Sequence, residues 1–330
     1  MSRVHVLARD NGAGLSRDLV IVTQALAQAG HEVCVSGIGA GGVRRAWRLA
    51  QRRAALAWRR WHEDAAASRF DLNLMLERIR PEYFALARRN GLVPNPEWFA
   101  DEDRRWLGGL DAVFTKTLHA APLFEALGCR SVHTGFTSID RLRAEVPREP
   151  TFFHLGGRSV NKGSQALLDL WLRKPQWPVL TMVQRSKLAM PPHLPANVRL
   201  LDGYLGDDDL RVLQNRHRFH LCPSETEGFG HHLVEGMSVG AIVLTTDAPP
   251  MNELVGAERG VLVAPNRSGT QRLATTWFVD PAALEAAVER MLAFDESACT
   301  AIGARARAWW ESNDRAFREH LASAITSVLL

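Results

Sequence analysis

Residues 222–253, C-P-S-E-T-E-G-F-G-H-H-L-V-E-G-M-S-V-G-A-I-V-L-T-T-D-A-P-P-M-N-E, limit the fold more than any other stretch. Leu221 and Cys222 close a short apolar segment. An acidic, glycine-bearing loop follows, and then Leu233, Val234, Met237 and Val239 recur at helical spacing. Ile242, Val243 and Leu244 form an apolar run of the kind a buried strand makes. Strand, loop, helix, strand is a crossover unit, and that unit demands a parallel sheet covered by helices. The helix begins at about residue 230, where its first N–H groups make an anion site at the loop that carries Glu227. Glu235 lies about two turns further on.

The chain opens in the same way. Val4, Val6 and Leu7 read as a strand, Leu15 to Ala29 as a helix, and Glu32 to Val35 as a second strand. The connecting turn, Arg9-Asp10-Asn11-Gly12-Ala13-Gly14, is not the G-x-G-x-x-G dinucleotide fingerprint. Further strands are expected at Phe70–Leu76, Leu92–Pro94, Asp111–Lys116, Thr151–Leu155, Pro178–Val183 and Gly260–Val263, with a final helix over 301–330. Residues 141–150, R-L-R-A-E-V-P-R-E-P, read as an interdomain linker. With 330 residues, 46% of them hydrophobic, the chain can bury two cores.

Charge is concentrated. Residues 43–61 hold seven arginines and no acid, with Trp47, Trp58 and Trp61 on one side of the expected helix. Such a helix packs on its own domain, or meets an anionic membrane surface or a phosphate backbone. The net charge is only +4, with a pI near 9.1. Cys34, Cys129, Cys222 and Cys299 are far apart, which fits reduced thiols and neither a disulfide frame nor a zinc site. No apolar run approaches the ~20 residues of a membrane span, and the first residues read as a strand and not a signal peptide. The expectation is a cytoplasmic protein, peripheral to the membrane if the arginine helix meets lipid.

The string P-S-x-x-E-G-F-G, with a second Glu eight positions after the first, resembles the donor site of retaining GT-B glycosyltransferases of family 4 (group 1). So does Gly156-Gly157-Arg158-Ser159-Val160-Asn161-Lys162-Gly163 after a strand. The resemblance implies two doubly wound Rossmann-like domains facing a central cleft. These are an acceptor-side domain over 1–145, a donor domain over 146–310, and a last helix, 311–330, that returns to the first. It implies that Arg158 and Lys162 grip the donor diphosphate, that Glu227 faces the sugar and that Glu235 binds the ribose. Gly12, Ala13, Gly14, Gly157, Phe229, Gly230 and His231 would line the donor. The implied donor is a UDP- or GDP-sugar, with no cofactor and no metal. Asp207-Asp208-Asp209 reads as the acidic opening of a helix. Acceptor-side candidates are Glu77, Glu97 and His119 at strand ends. The family's hinge motif is replaced here by Gly135-Phe136-Thr137-Ser138-Ile139-Asp140.

The acceptor stays open at this point. A glycan or lipid-linked glycan is one reading. A 5-hydroxymethylated pyrimidine in DNA, met by the arginine helix and some of the ten tryptophans, is another. A non-catalytic binding protein on the same frame is the third.

Overall fold

The computed structural model describes residues 1–8, 14–37 and 68–330. Gly12, Ala13 and the arginine-rich stretch 43–61 lie outside the described residues. The chain forms two compact units, Met1–Phe136 with Arg315–Leu330, and Thr137–Asp314.

The first unit holds a six-stranded parallel sheet of β1 (Arg3–Ala8), β2 (Glu32–Gly37), β3 (Phe70–Leu76), β4 (Ala87–Val93), β5 (Ala112–Thr115) and β6 (Ser131–His133), in the order β2-β1-β3-β4-β5-β6. Helix α1 (Gly14–Gln28) buries Ile21, Val22, Ala25 and Leu26, the i, i+1, i+4, i+5 stripe of an amphipathic helix. Helix α2 (Ala120–Glu125) follows β5. Strand β4 begins five residues earlier than Leu92, where its apolar pattern starts. Its polar opening is held by hydrogen bonds that sequence does not display: Asn73 Nδ2 donates to Asn90 Oδ1 at 2.8 Å, and the Asn90 N–H to Asp111 Oδ2 at 2.7 Å.

The second unit repeats the plan with β7 (Glu149–Gly157), β8 (Leu180–Gln184), β9 (Val198–Leu201), β10 (His217–Cys222), β11 (Ile242–Thr246) and β12 (Gly260–Val263), all parallel, in the order β12-β11-β10-β7-β8-β9. Its helices are α3 (Ser164–Arg173), α4 (Asp207–Arg216), α5 (His231–Ser238), α6 (Met251–Leu254), α7 (Pro281–Leu292) and α8 (Glu296–Leu329), the last of which ends in the first unit's segment. The core is aromatic. The Phe152 ring lies 5.0 Å from Phe219 and 5.1 Å from Trp171, and Trp171 lies 5.1 Å from Trp177. Truncating such a ring costs about 3–5 kcal/mol.

Residues 141–150 belong to the second unit, where buried Arg141 donates to Gln214 Oε1 at 2.7 Å and to Asp207 at 2.8 and 2.9 Å. Asp207 and Asp208 in the first turn of α4 are thus partners of Arg141 and Arg143. An antiparallel hairpin, β13 (Pro265–Gln271) and β14 (Ala274–Val279), stands between β12 and α7. Its turn has no Asn-Gly or Asp-Gly signal. Arg272 takes the left-handed conformation instead, at φ 57°.

In both sheets the strand order reverses once, between β1 and β3 and between β7 and β10. Loops leaving the carboxyl ends of two such neighbours diverge, and the crevice they leave is where open α/β sheets bind ligands.

Candidate active site

The loops after β7 and β10 carry both sequence motifs. They therefore meet at the reversal point of the second sheet. Gly163, the residue before α3, sits at φ 65°, and a Cβ there would lie 2.3 Å from the Pro223 carbonyl oxygen. Only glycine permits that approach, so the two loops touch at Gly163 and Pro223. Gly230, the residue before α5, sits at φ 96°, and a Cβ there would meet Leu233 at 2.8 Å and Glu227 at 3.5 Å. Neither helix start has a side-chain cap.

Lys162 Nζ donates to Glu227 Oε1 at 2.5 Å and to His232 Nδ1 at 3.3 Å. The two charged side chains keep 16% and 9% of their surface. The third Nζ proton of Lys162 and the second carboxylate oxygen of Glu227 have no partner among the described residues. His232 is buried, and burial together with the Lys162 charge pushes its pKa well below 6.5. A neutral ring that accepts at Nδ1 must carry its proton on Nε2, so Nε2 donates to Ser224 Oγ at 3.1 Å. The ring therefore fixes Lys162 from behind without competing for charge.

Arg158 is exposed and makes no hydrogen bond or ion pair with the described residues. Gly157, at φ 58°, turns the chain just before it, and its carbonyl accepts from the N–H groups of Arg185 at 2.6 Å and Ser186 at 3.2 Å.

Glu235 is 1% exposed, on the inner side of α5. Its Oε2 accepts from Gln214 Nε2 at 2.8 Å, and Gln214 in turn accepts from Arg141. Phe229 is buried and packs edge-on to His231 at 5.4 Å, while His231 Nδ1 is 2.8 Å from Ser138 Oγ.

The structure thus brings together Gly157, Arg158, Lys162, Glu227, Phe229, Gly230, His231 and Glu235 in one unit. Gly14 begins α1 in the other unit. Glu77, Glu97 and His119 all follow carboxyl ends of first-unit strands. Glu77 sits after β3 at φ 68°, Glu97 is buried in the short 3-10 helix Pro96–Trp98, and His119 precedes α2. Sequence reasoning missed His232, Gln214, Arg141 and Asn161. His232 had one signal, a polar residue at a position of α5 that the helical pattern places inside. Among the described residues no group of three or more His, Cys, Asp or Glu could hold a metal ion, and no helix is long and apolar enough to cross a membrane.

Residues 184–298, which include the Glu227–Glu235 segment, match the family described as glycosyl transferases group 1. Over 125 residues the chain is 32% identical to the GDP-mannose:cellobiosyl-diphosphopolyprenol alpha-mannosyltransferase of Xanthomonas oryzae pv. oryzae (strain PXO99A), covering 34% of this chain and 33% of that protein. Against the protein of the same description from Xanthomonas campestris it is 30% identical over 154 residues, covering 41% and 39%. The matches thus span 33% and 39% of the length of these curated relatives. Solved structures match over the whole chain. HepE of Anabaena, in complex with UDP-glucose, gives a TM-score of 0.71 at 15% identity, covering 99% of this chain and 100% of that one. A glycosyltransferase from Rickettsia africae ESF-5 gives 0.70 at 14%, covering 99% and 98%. Sucrose-phosphate synthase from Thermosynechococcus elongatus gives 0.69 at 15%, covering 99% of each chain.

Proposed function

We propose that this GT-B chain, with its group 1 glycosyl transferase segment, moves a sugar from a nucleoside diphosphate sugar to an acceptor hydroxyl with retention of the anomeric configuration. The observation that carries the reading is the set of unspent groups at the β7/β10 reversal point. Among the described residues Arg158 is exposed and unpaired, and Lys162 keeps a proton for a ligand although Glu227 and His232 hold it.

The chemistry follows from those groups. As the glycosidic bond breaks, the departing diphosphate gains negative charge. Fixed cations aimed there stabilise the transition state more than the bound donor, and that difference is what accelerates a reaction. Arg158 offers a planar fork and Lys162 a point charge. The uncapped starts of α3 and α5 add backbone N–H groups. The unbonded oxygen of Glu227 accepts from a sugar hydroxyl, and Glu235, held by Gln214, accepts from the ribose. The leaving phosphate takes the acceptor's proton on the same face of the sugar. The residues assigned to the donor invoke no metal and no cofactor.

The two mannosyltransferase relatives are described as acting on a lipid-linked glycan with GDP-mannose, which favours a GDP-sugar donor and a glycan acceptor of that class for this chain. On the acceptor side we assign Glu77, whose positive φ is a strain that folded chains keep mainly at working sites. Incubation with GDP- and UDP-sugars, a polyprenyl-diphosphate glycan and 5-hydroxymethylated duplex DNA, read by mass spectrometry, tests the reading. A glycan shifted by one sugar is the expected product, and nuclear magnetic resonance reads its anomer. A sugar-shifted nucleoside would reassign the acceptor to DNA. Absence of product and of donor hydrolysis would leave a binding protein on this frame.

A further inference from the structure

The hairpin β13–β14 is an excursion from the fold. Its ends already touch. The Asp280 N–H donates to the Ala264 carbonyl at 3.0 Å, and Asn266 Nδ2 to Asp280 Oδ2 at 2.7 Å. Asp280 also caps α7 by accepting from the Ala283 N–H at 2.8 Å. Strand β12 could therefore run into α7 without the intervening residues. The hairpin adds no strand to either six-stranded sheet, and much of β13 is exposed. Pairing with the main sheets does not account for it, and its inner strand β14 is turned toward the fold.

What it touches is the site. The Trp277 N–H donates to the Glu225 carbonyl at 2.7 Å, the Glu225 N–H to the Asn161 carbonyl at 2.8 Å, and Asn161 Nδ2 to Gln271 Oε1 at 2.8 Å. These three bonds close a circuit through the hairpin and both motif loops. Lys162 directly follows Asn161, and Glu227 lies two residues beyond Glu225. Arg267, stacked on Phe278 at 3.9 Å, adds an attraction to the Glu225 carboxylate, whose pKa burial pushes up. Thr226 Oγ1 and Trp277 Nε1, one in the loop and one in the hairpin, are buried without a hydrogen-bond partner.

We propose that the hairpin 265–279 is a positioning element of the donor site: through Gln271 and Trp277 it fixes the separation of the two motif loops and so presets the Lys162–Glu227 pair. The inference rests on the donor reading above. Gln271 and Trp277 act through Asn161 and Glu225, as positioning residues. A misplacement of about 1 Å at such a pair is enough to cost about 10²-fold in rate.

The test uses the full chain and donor hydrolysis or transfer, read as kcat and KM beside the melting temperature. Gln271→Leu removes the acceptor for Asn161 Nδ2, and Gln271→Glu keeps one. The expected result is a fall in kcat of about tenfold or more for Gln271→Leu, with the melting temperature held and most of the rate restored in Gln271→Glu. Replacing 266–278 by two glycines should lower kcat further while the circular dichroism of the fold persists. Wild-type kcat and KM in Gln271→Leu would overturn the inference. So would a loss that follows the melting temperature and is not restored by Gln271→Glu. A wild-type protein that neither binds nor hydrolyses any nucleotide sugar would remove the donor reading itself, and the inference with it.

Discussion

At the carboxyl edge of the first sheet, Lys116 donates to Asp18 Oδ2 at 2.5 Å and to Asn95 Oδ1 at 2.8 Å, and lies over the Phe136 ring at 4.7 Å. The Lys116 and Asp18 side chains keep only 3% and 5% of their surface. At the corresponding edge of the second sheet, Lys162 also holds a carboxylate at 2.5 Å, but its side chain stays 16% exposed, with, among the described residues, one proton unused and an unpaired arginine four residues before it. The same residue type at the same kind of strand end is thus put to two uses. The first lysine is spent on holding α1 to the sheet, and the second keeps one proton unused among the described residues. Charge at a strand end does not mark a site; unspent hydrogen-bonding capacity does.

Several substitutions can break or sharpen that contrast. The largest effect on stability is expected from Lys116→Met, which takes the cation from a buried ion pair and should cost about 3–5 kcal/mol, measured by denaturant unfolding. Arg158→Ala should do the reverse. An exposed side chain without a partner changes stability by less than about 0.5 kcal/mol, whereas loss of a cation from the leaving group should cut turnover by about 10²–10³-fold. If both variants lose stability alike, the contrast between the two edges is wrong.

Acid should act on the second unit. Burial lowers the pKa of His154 and His217 from 6.5 to about 4, that of His220 to about 3, and that of His232 well below 6.5. The unfolded chain binds protons at these groups near 6.5 and the folded chain does not, so stability is full above 6.5 and falls as the pH drops from there toward 4. One group lowered that far withdraws on the order of 3 kcal/mol across the window. Hydrogen exchange in β7 and β10 checks it, and unchanged protection at pH 4 would contradict it. The smallest effect is expected from Gln214→Ala. It removes one donor to Glu235 and an acceptor for Arg141, for about 1–3 kcal/mol, with a rise in donor KM of a few-fold that kcat does not follow.

Much of this was legible in the chain. Apolar runs marked β5 and β11, as strands buried on both faces read, and β1, β3 and β10 showed through apolar residues interrupted by polar ones. Glu227, Glu235, Arg158 and Lys162 were singled out because the motifs that carry them resemble a known donor site; Gly157, Gly163 and Gly230 of those motifs take positive φ. The polar start of β4 was not, since Asn90 is held by Asn73 and Asp111 from other segments. The hairpin was hidden for a related reason: Arg272 stands where a turn glycine would announce it, and its hydrogen bonds run to Asn161 and Glu225, distant in sequence. His232 looked like any core histidine until its contact with Lys162 was visible.

Calorimetric titration of GDP and UDP into the wild-type protein and the Arg158→Ala variant tests the central claim most directly. The account predicts that the wild type binds at one site, and that Arg158→Ala binds at least about tenfold more weakly, a loss of about 1.4 kcal/mol, at an unchanged melting temperature. Equal affinity in the two proteins, or binding by neither, would contradict it.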